Sequence, residues 1–345
     1  MPIAVNVRTL QSPLTGAQRY LKEILRRVDG PLTPVAPHRS GSGISGHAWE
    51  QLVLPLRVQD SLLWSPANTG PLAVSEQVLT ILDLSPLDHP EWFSSAFARW
   101  YAWLLPKLAQ KVRRIITISE FSAQRIVSSL GQSPAKLDVV YPGVSGRFHP
   151  QPGSDTKRAL ESLRIPSERY VLTVGSLEPR KNLRRLLRVW RRIESEVDPD
   201  IWLVVAGKEG VSRVFAAESL SAGSNRVFLT GYVNDRLLPA LYAGAAAFIY
   251  PSLYEGFGLP ALEAMASGTP VIVSNSTALP EVVAGAGILV DPLDEEQIAV
   301  ALKDLLLDES KSDLLRVKGL ARVPKFSWDT AARKTWNLLR TTSAS

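Results

Sequence analysis

The 345-residue chain contains no cysteine, which excludes disulfides, thiolate zinc sites, iron–sulfur clusters and a cysteine nucleophile together. It also lacks a long apolar run. The longest candidate, Ala240 to Tyr250, spans eleven residues and stops at Pro251, well short of the roughly 18 needed to cross a bilayer. The four histidines, His38, His47, His89 and His149, show no ligand spacing, and Asp198-Pro199-Asp200 precedes a strand pattern, where it reads as a turn. Neither a metal nor a cofactor is expected. The start, Met1-Pro2-Ile3-Ala4-Val5-Asn6-Val7, has no basic segment leading into an apolar one and reads as a first strand, so a cytoplasmic location is expected.

What the chain does have is enough apolar material for about two packed domains, with 45% hydrophobic and 21% charged residues. Its net charge of +6 is unevenly placed: residues 1–150 hold 15 basic and 10 acidic side chains, and residues 151–345 hold 24 and 23. The surplus therefore belongs to the first half. Phe148-His149-Pro150-Gln151-Pro152-Gly153-Ser154 interrupts every periodicity and marks a boundary between domains 1–150 and 151–345. The last helix is expected to pack back on the N-terminal domain. Arg39 to Gly46, rich in glycine and serine, reads as a mobile surface loop.

The second half alternates short apolar runs with helical periods. Strand patterns at Tyr170–Val174, Ile201–Ala206, Arg226–Leu229, Ala246–Tyr250, Val271–Val273 and Ile288–Val290 are each followed by a helical one, Ser212–Leu220 among them. Such alternation predicts βαβ units and a parallel sheet covered on both faces. The first half repeats the theme, with strands at Ile3–Val7, Leu62–Trp64, Val78–Leu82, Arg114–Ile118 and Leu137–Val140. Its helices fall near Tyr20–Val28, Trp92–Lys111 and Glu120–Leu130. The expected fold is α/β, two Rossmann-like doubly wound domains facing a central cleft, with ligands at the carboxyl ends of the strands.

Two segments carry chemistry. In Pro251-Ser252-Leu253-Tyr254-Glu255-Gly256-Phe257-Gly258-Leu259-Pro260-Ala261-Leu262-Glu263, a strand gives way to a helix through a glycine-rich turn that suits an anion. Glu255 in the loop and Glu263 one turn into the helix supply carboxylates for sugar or ribose hydroxyls. After the domain's first strand, Glu178-Pro179-Arg180-Lys181-Asn182 puts two cations at a helix start, which opposes the macrodipole unless an anion is near.

These segments, with Thr230-Gly231-Tyr232-Val233 and Ser267-Gly268-Thr269-Pro270-Val271-Ile272, resemble the retaining nucleotide-sugar glycosyltransferases of family 4, which have the two-domain GT-B fold. The nearest branch is mannosyltransferase-like and builds bacterial O-antigen and surface polysaccharide. The resemblance implies that Arg180 and Lys181 bind the donor diphosphate, Glu255 contacts the donor sugar and Glu263 holds the ribose. Phe257, Gly258 and Leu259 would offer backbone amides, Tyr232 and Val233 would lie by the base, and Gly16 would belong to the loop that approaches the donor. Asp83 is a further site candidate. It also implies metal-independent transfer of mannose or a 6-deoxyhexose from a GDP- or UDP-type donor to a glycan or polyprenyl-linked acceptor. Attack would come on the same face as departure, with no carboxylate nucleophile. An epimerase and a silent binding protein of the same fold are the alternatives.

The chain departs from the family at Thr80-Ile81-Leu82-Asp83-Leu84, where relatives commonly carry histidine at the position of Leu82. Three readings stand: His89 replaces it, the donor is a deoxy sugar, or activity is lost. Finally, Glu91 to Lys107 holds three of the nine tryptophans and runs into Lys107, Lys111, Arg113 and Arg114. That pattern fits contact with the inner-membrane surface, with Arg19, Lys22, Arg26 and Arg27 adding to the basic face. Nucleic acid is not an expected partner.

Overall fold

The computed structural model describes residues 1–11, 15–38, 43–207 and 226–344. Its strands, in chain order, are β1 (Ile3–Asn6), β2 (Leu32–Val35), β3 (Leu62–Ser65), β4 (Gln77–Ile81), β5 (Arg114–Thr117), β6 (Leu137–Val139), β7 (Arg169–Val174), β8 (Ile201–Ala206), β9 (Val227–Gly231), β10 (Ala247–Tyr250), β11 (Val271–Ser274) and β12 (Ile288–Val290). The helices are α1 (Gly16–Leu25), α2 (Gly43–Leu52), α3 (Leu54–Arg57), α4 (Ser85–Asp88), α5 (Ser95–Lys111), α6 (Glu120–Leu130), α7 (Gly153–Leu163), α8 (Leu183–Ile193), α9 (Leu238–Ala243), α10 (Leu259–Ala266), α11 (Leu279–Val283), α12 (Glu295–Leu307), α13 (Glu309–Arg322) and α14 (Trp328–Ala344).

They form two compact units, Met1–Gly143 with Phe326–Ser345, and Val144–Lys325. The sequence reading put the division at residue 150; here it lies between Gly143 and Val144, and α14 belongs to the first unit. Each unit holds one six-stranded sheet, ordered β2-β1-β3-β4-β5-β6 in the first and β12-β11-β10-β7-β8-β9 in the second. Every described pairing is parallel. The sheets are parallel because their central strands are apolar on both sides: β1, β3, β4, β10 and β11 are buried throughout. Such strands need helices on each face, and the βαβ crossovers provide them.

Two elements differ from the sequence reading. β2 went unforeseen because Pro34 lies within it; it survives as the edge strand beside β1, where a missing N–H is tolerated. The expected glycine-serine loop is helical from Gly43 onward, as the start of α2, while residues 39–42 lie outside the described residues. The expected helix at Ser212–Leu220 also lies outside them.

α14 is fastened by aromatic packing against small residues. Trp328 is buried and its ring lies 6.1 Å from that of Tyr20 in α1. Gly143 leaves room for the backbone there, since a Cβ on it would stand 2.1 Å from the Trp328 nitrogen. Gly30 is likewise pressed by Trp336, 2.1 Å from where a Cβ would be. Gly143→Ala is therefore expected to lower the stability of the protein by about 1–3 kcal/mol, the usual cost of overpacking. Urea unfolding checks this, and an unchanged midpoint would contradict the close approach.

Candidate active site

In the second sheet the strand order reverses between β7 and β10, and crevices at such points are where open parallel sheets bind ligands. The two segments singled out by sequence emerge from these two strands. Chain connectivity thus places Arg180 and Lys181, in a 3-10 turn after β7, beside the glycine-rich turn after β10.

Side chains complete the link. Lys181 Nζ donates to Glu255 Oε1 at 2.5 Å and also to the Tyr250 hydroxyl, and it sits 4.8 Å from the Tyr250 ring centre. Arg180 Nη1 reaches Glu255 Oε2 at 3.3 Å, while its Nε donates to Glu178 Oε2 at 2.6 Å. Ser176 holds the other Glu178 oxygen at 2.7 Å. Glu255 and Lys181 are both largely withdrawn from water, with side chains 8% and 11% exposed.

Burial, with the Arg180 charge behind it, lowers the Lys181 ammonium to about 8, although Glu255 pulls the other way. Burial alone would raise the Glu255 carboxyl; the Lys181 and Arg180 charges outweigh it and hold it below its ordinary value. Burial is also the main reason the Tyr250 phenol stands well above its usual value. The centre is thus two cations held by two carboxylates, Glu255 deeply buried and Glu178 at the half-exposed edge, so a ligand anion reaches the cations by displacing a carboxylate. A group with more negative charge than a carboxylate can compete for the same two cations.

The backbone around it is held by loop-to-loop bonds. Leu253 N donates to Arg180 O at 2.7 Å, and Glu255 N to Thr277 Oγ1 at 3.2 Å. Asn182, in the left-handed conformation at φ 57°, donates from Nδ2 to the carbonyls of Pro251 at 3.1 Å and Pro292 at 2.7 Å. Gly258 turns the chain into α10 at φ 104°, where a Cβ would stand 2.5 Å from Leu279. Only glycine fits there. Of the first-turn positions that follow, Pro260 has no N–H and Ala261 N already donates to Gly258 O at 3.1 Å, so Leu259 N–H is the amide this helix start can offer an anion.

The remaining candidates lie as follows. Phe257 is buried and Leu259 begins α10. Glu263 is buried one turn into α10 and accepts from the Tyr242 hydroxyl at 3.2 Å. Tyr232, after β9, is exposed and Val233 beside it is buried. Gly16 starts α1 with open space where a Cβ would be. Asp83 Oδ1 accepts from Ser85 N at 2.9 Å and Ser85 Oγ at 2.6 Å, which tethers it to the residue that starts α4. His89 is stacked on Trp92 at 3.9 Å and its Nδ1 lies 3.0 Å from Glu91. Leu82 is buried, its N–H bonded to Asn68 Oδ1 at 2.6 Å. The Asp198-Pro199-Asp200 stretch is a turn, with Asp200 N donating to Asp198 Oδ1 at 2.9 Å. Among the described residues no group of three His, Asp or Glu side chains is placed to hold a metal.

Tyr250, Asn182 and Thr277 were not foreseen. Tyr250 reads as one more apolar strand residue, and Thr277 belongs to a third loop with no motif of its own. Asn182 alone carried a signal, because asparagine tolerates the left-handed region directly before a helix.

Residues 76–146 match the model for Glycosyltransferase Family 4, and residues 155–319 match that for Glycosyl transferases group 1. The chain is 32% identical to the O-antigen chain mannosyltransferase B of Escherichia coli, over 98% of this chain and 99% of that protein. This chain belongs to glycosyltransferase family 4. The enzyme is also 33% identical to the MMP alpha-(1->4)-mannosyltransferase of Mycolicibacterium hassiacum, over 71% of this chain and 58% of that one. Its fold is the GT-B fold. It is similar to WaaG, a glycosyltransferase involved in lipopolysaccharide biosynthesis, with TM-score 0.76 and 17% identity over 98% of this chain and 99% of that chain. Anabaena HepE in complex with UDP-glucose superposes with TM-score 0.76 at 18% identity, covering 99% of this chain and 100% of that one.

Removing one partner of a buried ion pair leaves the other uncompensated. Lys181→Met is expected to destabilise the enzyme by roughly 3 kcal/mol, the low end of the range because Arg180 still faces Glu255. Adding Glu255→Gln should restore most of that loss. Denaturant unfolding of both variants checks the pair, and a double variant no more stable than Lys181→Met would contradict it.

Proposed function

We propose that the enzyme transfers a hexose, mannose or a 6-deoxyhexose, from a GDP- or UDP-type nucleotide sugar to a glycan or polyprenyl-linked acceptor in bacterial surface-polysaccharide synthesis. It works at the cytoplasmic face of the membrane and with retention of configuration. The observation that carries the reading is the Arg180–Lys181–Glu255 cluster at the point where the strand order of the second sheet reverses. The mannosyltransferase relatives favour transfer over epimerisation. The HepE complex supports a nucleotide-sugar donor.

Without donor, Glu255 occupies the two cations. An arriving diphosphate carries more charge than the carboxylate and competes for Lys181 and Arg180, which releases Glu255 toward the hydroxyls of the donor sugar. As the glycosidic bond breaks, negative charge grows on the departing phosphate where the cations already point. A preorganised donor of this kind is worth about 10²–10³ in rate, roughly 3–4 kcal/mol, and needs no metal ion. The departing phosphate oxygen takes the acceptor proton on the same face of the sugar, so no carboxylate need act as nucleophile. Glu263 holds the ribose, exchanging its bond to Tyr242 for the diol. Leu82 cannot hydrogen-bond a sugar hydroxyl as the histidine common in relatives would, which is compatible with mannose or a 6-deoxyhexose, since apolar side chains discriminate weakly.

Only the protonated Lys181 can neutralise phosphate. Its value of about 8 means that kcat/KM should fall as pH rises through that point. Lys181→Arg should move this alkaline limb upward, because arginine stays charged. Lys181→Ala and Arg180→Ala should each lower turnover by about 10²–10³ with the fold intact. Wild-type kinetics in either alanine variant would remove these residues from the phosphate role.

A further inference from the structure

The two carboxylates that hold Arg180 and Lys181 are themselves held in different ways. Glu178 is a local partner. In Ser176-Leu177-Glu178-Pro179-Arg180 the proline keeps the residue before it extended, and Glu178 lies at φ −110° and ψ 151°. From there its carboxylate reaches residues two positions away on either side: Oε1 accepts from Ser176 Oγ at 2.7 Å and Oε2 from Arg180 Nε at 2.6 Å. Main-chain bonds close the same turn, Glu178 N donating to Ser176 O at 2.8 Å and Lys181 N to Glu178 O at 3.0 Å. All of these contacts lie between Ser176 and Lys181, so the turn makes them by itself. Glu255 reaches Lys181 from 74 positions away and depends on the packing of two loops.

The two also touch different parts of the cations. Glu255 bridges them, with Oε1 2.5 Å from Lys181 Nζ and Oε2 3.3 Å from Arg180 Nη1. A phosphate that is to touch both Nζ and Nη1 has to take that bridging position, so Glu255 is the carboxylate it displaces. Glu178 meets Arg180 at Nε, on another edge of the guanidinium, and is not in the way. Partial burial would raise the Glu178 carboxyl, but the Arg180 charge and the Ser176 hydroxyl outweigh it and hold it below its ordinary value. It is therefore ionised wherever the cations are charged. A guanidinium is planar with its N–H groups in a fixed fork, so a bond that fixes Nε also fixes where the Nη groups point. Once Glu255 has turned away, the bond to Glu178 is the one that keeps Nη1 directed at the vacated position.

We propose that Glu178 is a positioning residue for the donor: pinned by Ser176, it stays on Arg180 while Glu255 is displaced, aims the Nη side of the guanidinium at the diphosphate, and offsets part of the charge that would otherwise retain the product nucleotide. The aiming follows from geometry. The second effect follows from charge, because Glu178 is then the anion left beside the two cations, and a like charge near a bound anion weakens its binding. Release of the nucleoside diphosphate after transfer is eased in the same measure. The proposal rests on the diphosphate site of the preceding reading.

The test compares the wild type with Glu178→Gln, which keeps an acceptor for Arg180 Nε but loses the charge, and with Glu178→Ala, which loses both. Transfer is followed from a panel of GDP- and UDP-hexoses, and binding by calorimetry with inorganic diphosphate, which requires no knowledge of the sugar. At a pH below 7, where Lys181 is charged, Glu178→Gln should bind diphosphate about tenfold more tightly without losing kcat/KM. Glu178→Ala should lower kcat/KM by about ten- to a hundredfold through misdirection of Arg180, and Ser176→Ala should do so to a smaller extent. Lys181 faces Arg180, Glu255, Glu178 and the Tyr250 hydroxyl, and the Glu178 charge helps to keep it protonated. In both Glu178 variants the alkaline fall in kcat/KM should therefore begin at lower pH than in the wild type. A residue that merely braced the turn would leave that limb in place. Wild-type kcat/KM in Glu178→Ala, an equal loss in Glu178→Gln, or an unmoved alkaline limb would overturn the assignment. Transfer by the wild type, with diphosphate binding no tighter in Glu178→Gln, defeats the assignment alone. Tighter diphosphate binding in that variant, with no transfer by the wild type from any nucleotide sugar, defeats the functional reading alone.

Discussion

One buried ion pair organises the second unit. Lys181 and Glu255 come from loops 74 residues apart in sequence, and their 2.5 Å contact joins the carboxyl ends of β7 and β10. A buried pair of this kind gains little net stability, because stripping water from two charges costs about what their attraction returns. Its value is positional. It fixes an ammonium and a guanidinium in a dry place and holds that place open with a carboxylate that a more highly charged group can displace. The surrounding bonds, from Leu253 to Arg180 and from Asn182 to Pro251 and Pro292, then brace three loops around two cations. A site preorganised in this way does not have to be assembled when charge develops during the reaction.

Much of this was legible in the residues. Two parallel sheets follow from apolar runs alternating with helical periods, and the glycine-rich turn before α10 and the cations after β7 could be placed on the same edge from topology alone. What could not be read were features that depend on contacts distant in sequence. Tyr250 is one more aromatic in a buried strand until Lys181 reaches its hydroxyl. β2 was hidden by Pro34, because local preference argues against a strand and only its position at the sheet edge permits it. Asp83 and His89 stand out as polar residues near a strand end, and only the structure shows their local partners, Ser85 for the first and Trp92 for the second.

The first unit shows why the excess of positive charge needed a structure to interpret. Counting assigned it to the first half of the chain without saying which cations share a face. Arg8 is spent on the buried Glu50, Arg113 on Glu76 and Arg114 on Asp138. Arg99, Lys107 and Lys111 instead are exposed along α5, at a four-residue spacing with Trp103. Glu50, a charged residue accepted into the interior by Asn6, Arg8 and Thr69, shares the inner side of α2 with Trp49, which packs on the core of Ala4, Leu54, Val58 and Leu63. A reading based on glycine and serine content saw only a loop there.

The central claim is that Glu255 keeps a place for the donor diphosphate between Lys181 and Arg180. A crystal structure of the enzyme with a bound nucleoside diphosphate tests it most directly. The account predicts phosphate oxygens within hydrogen-bonding distance of Lys181 Nζ and the Arg180 guanidinium, with the Glu255 carboxylate turned away from both. A nucleotide bound elsewhere, with the Lys181–Glu255 pair unbroken, would contradict it.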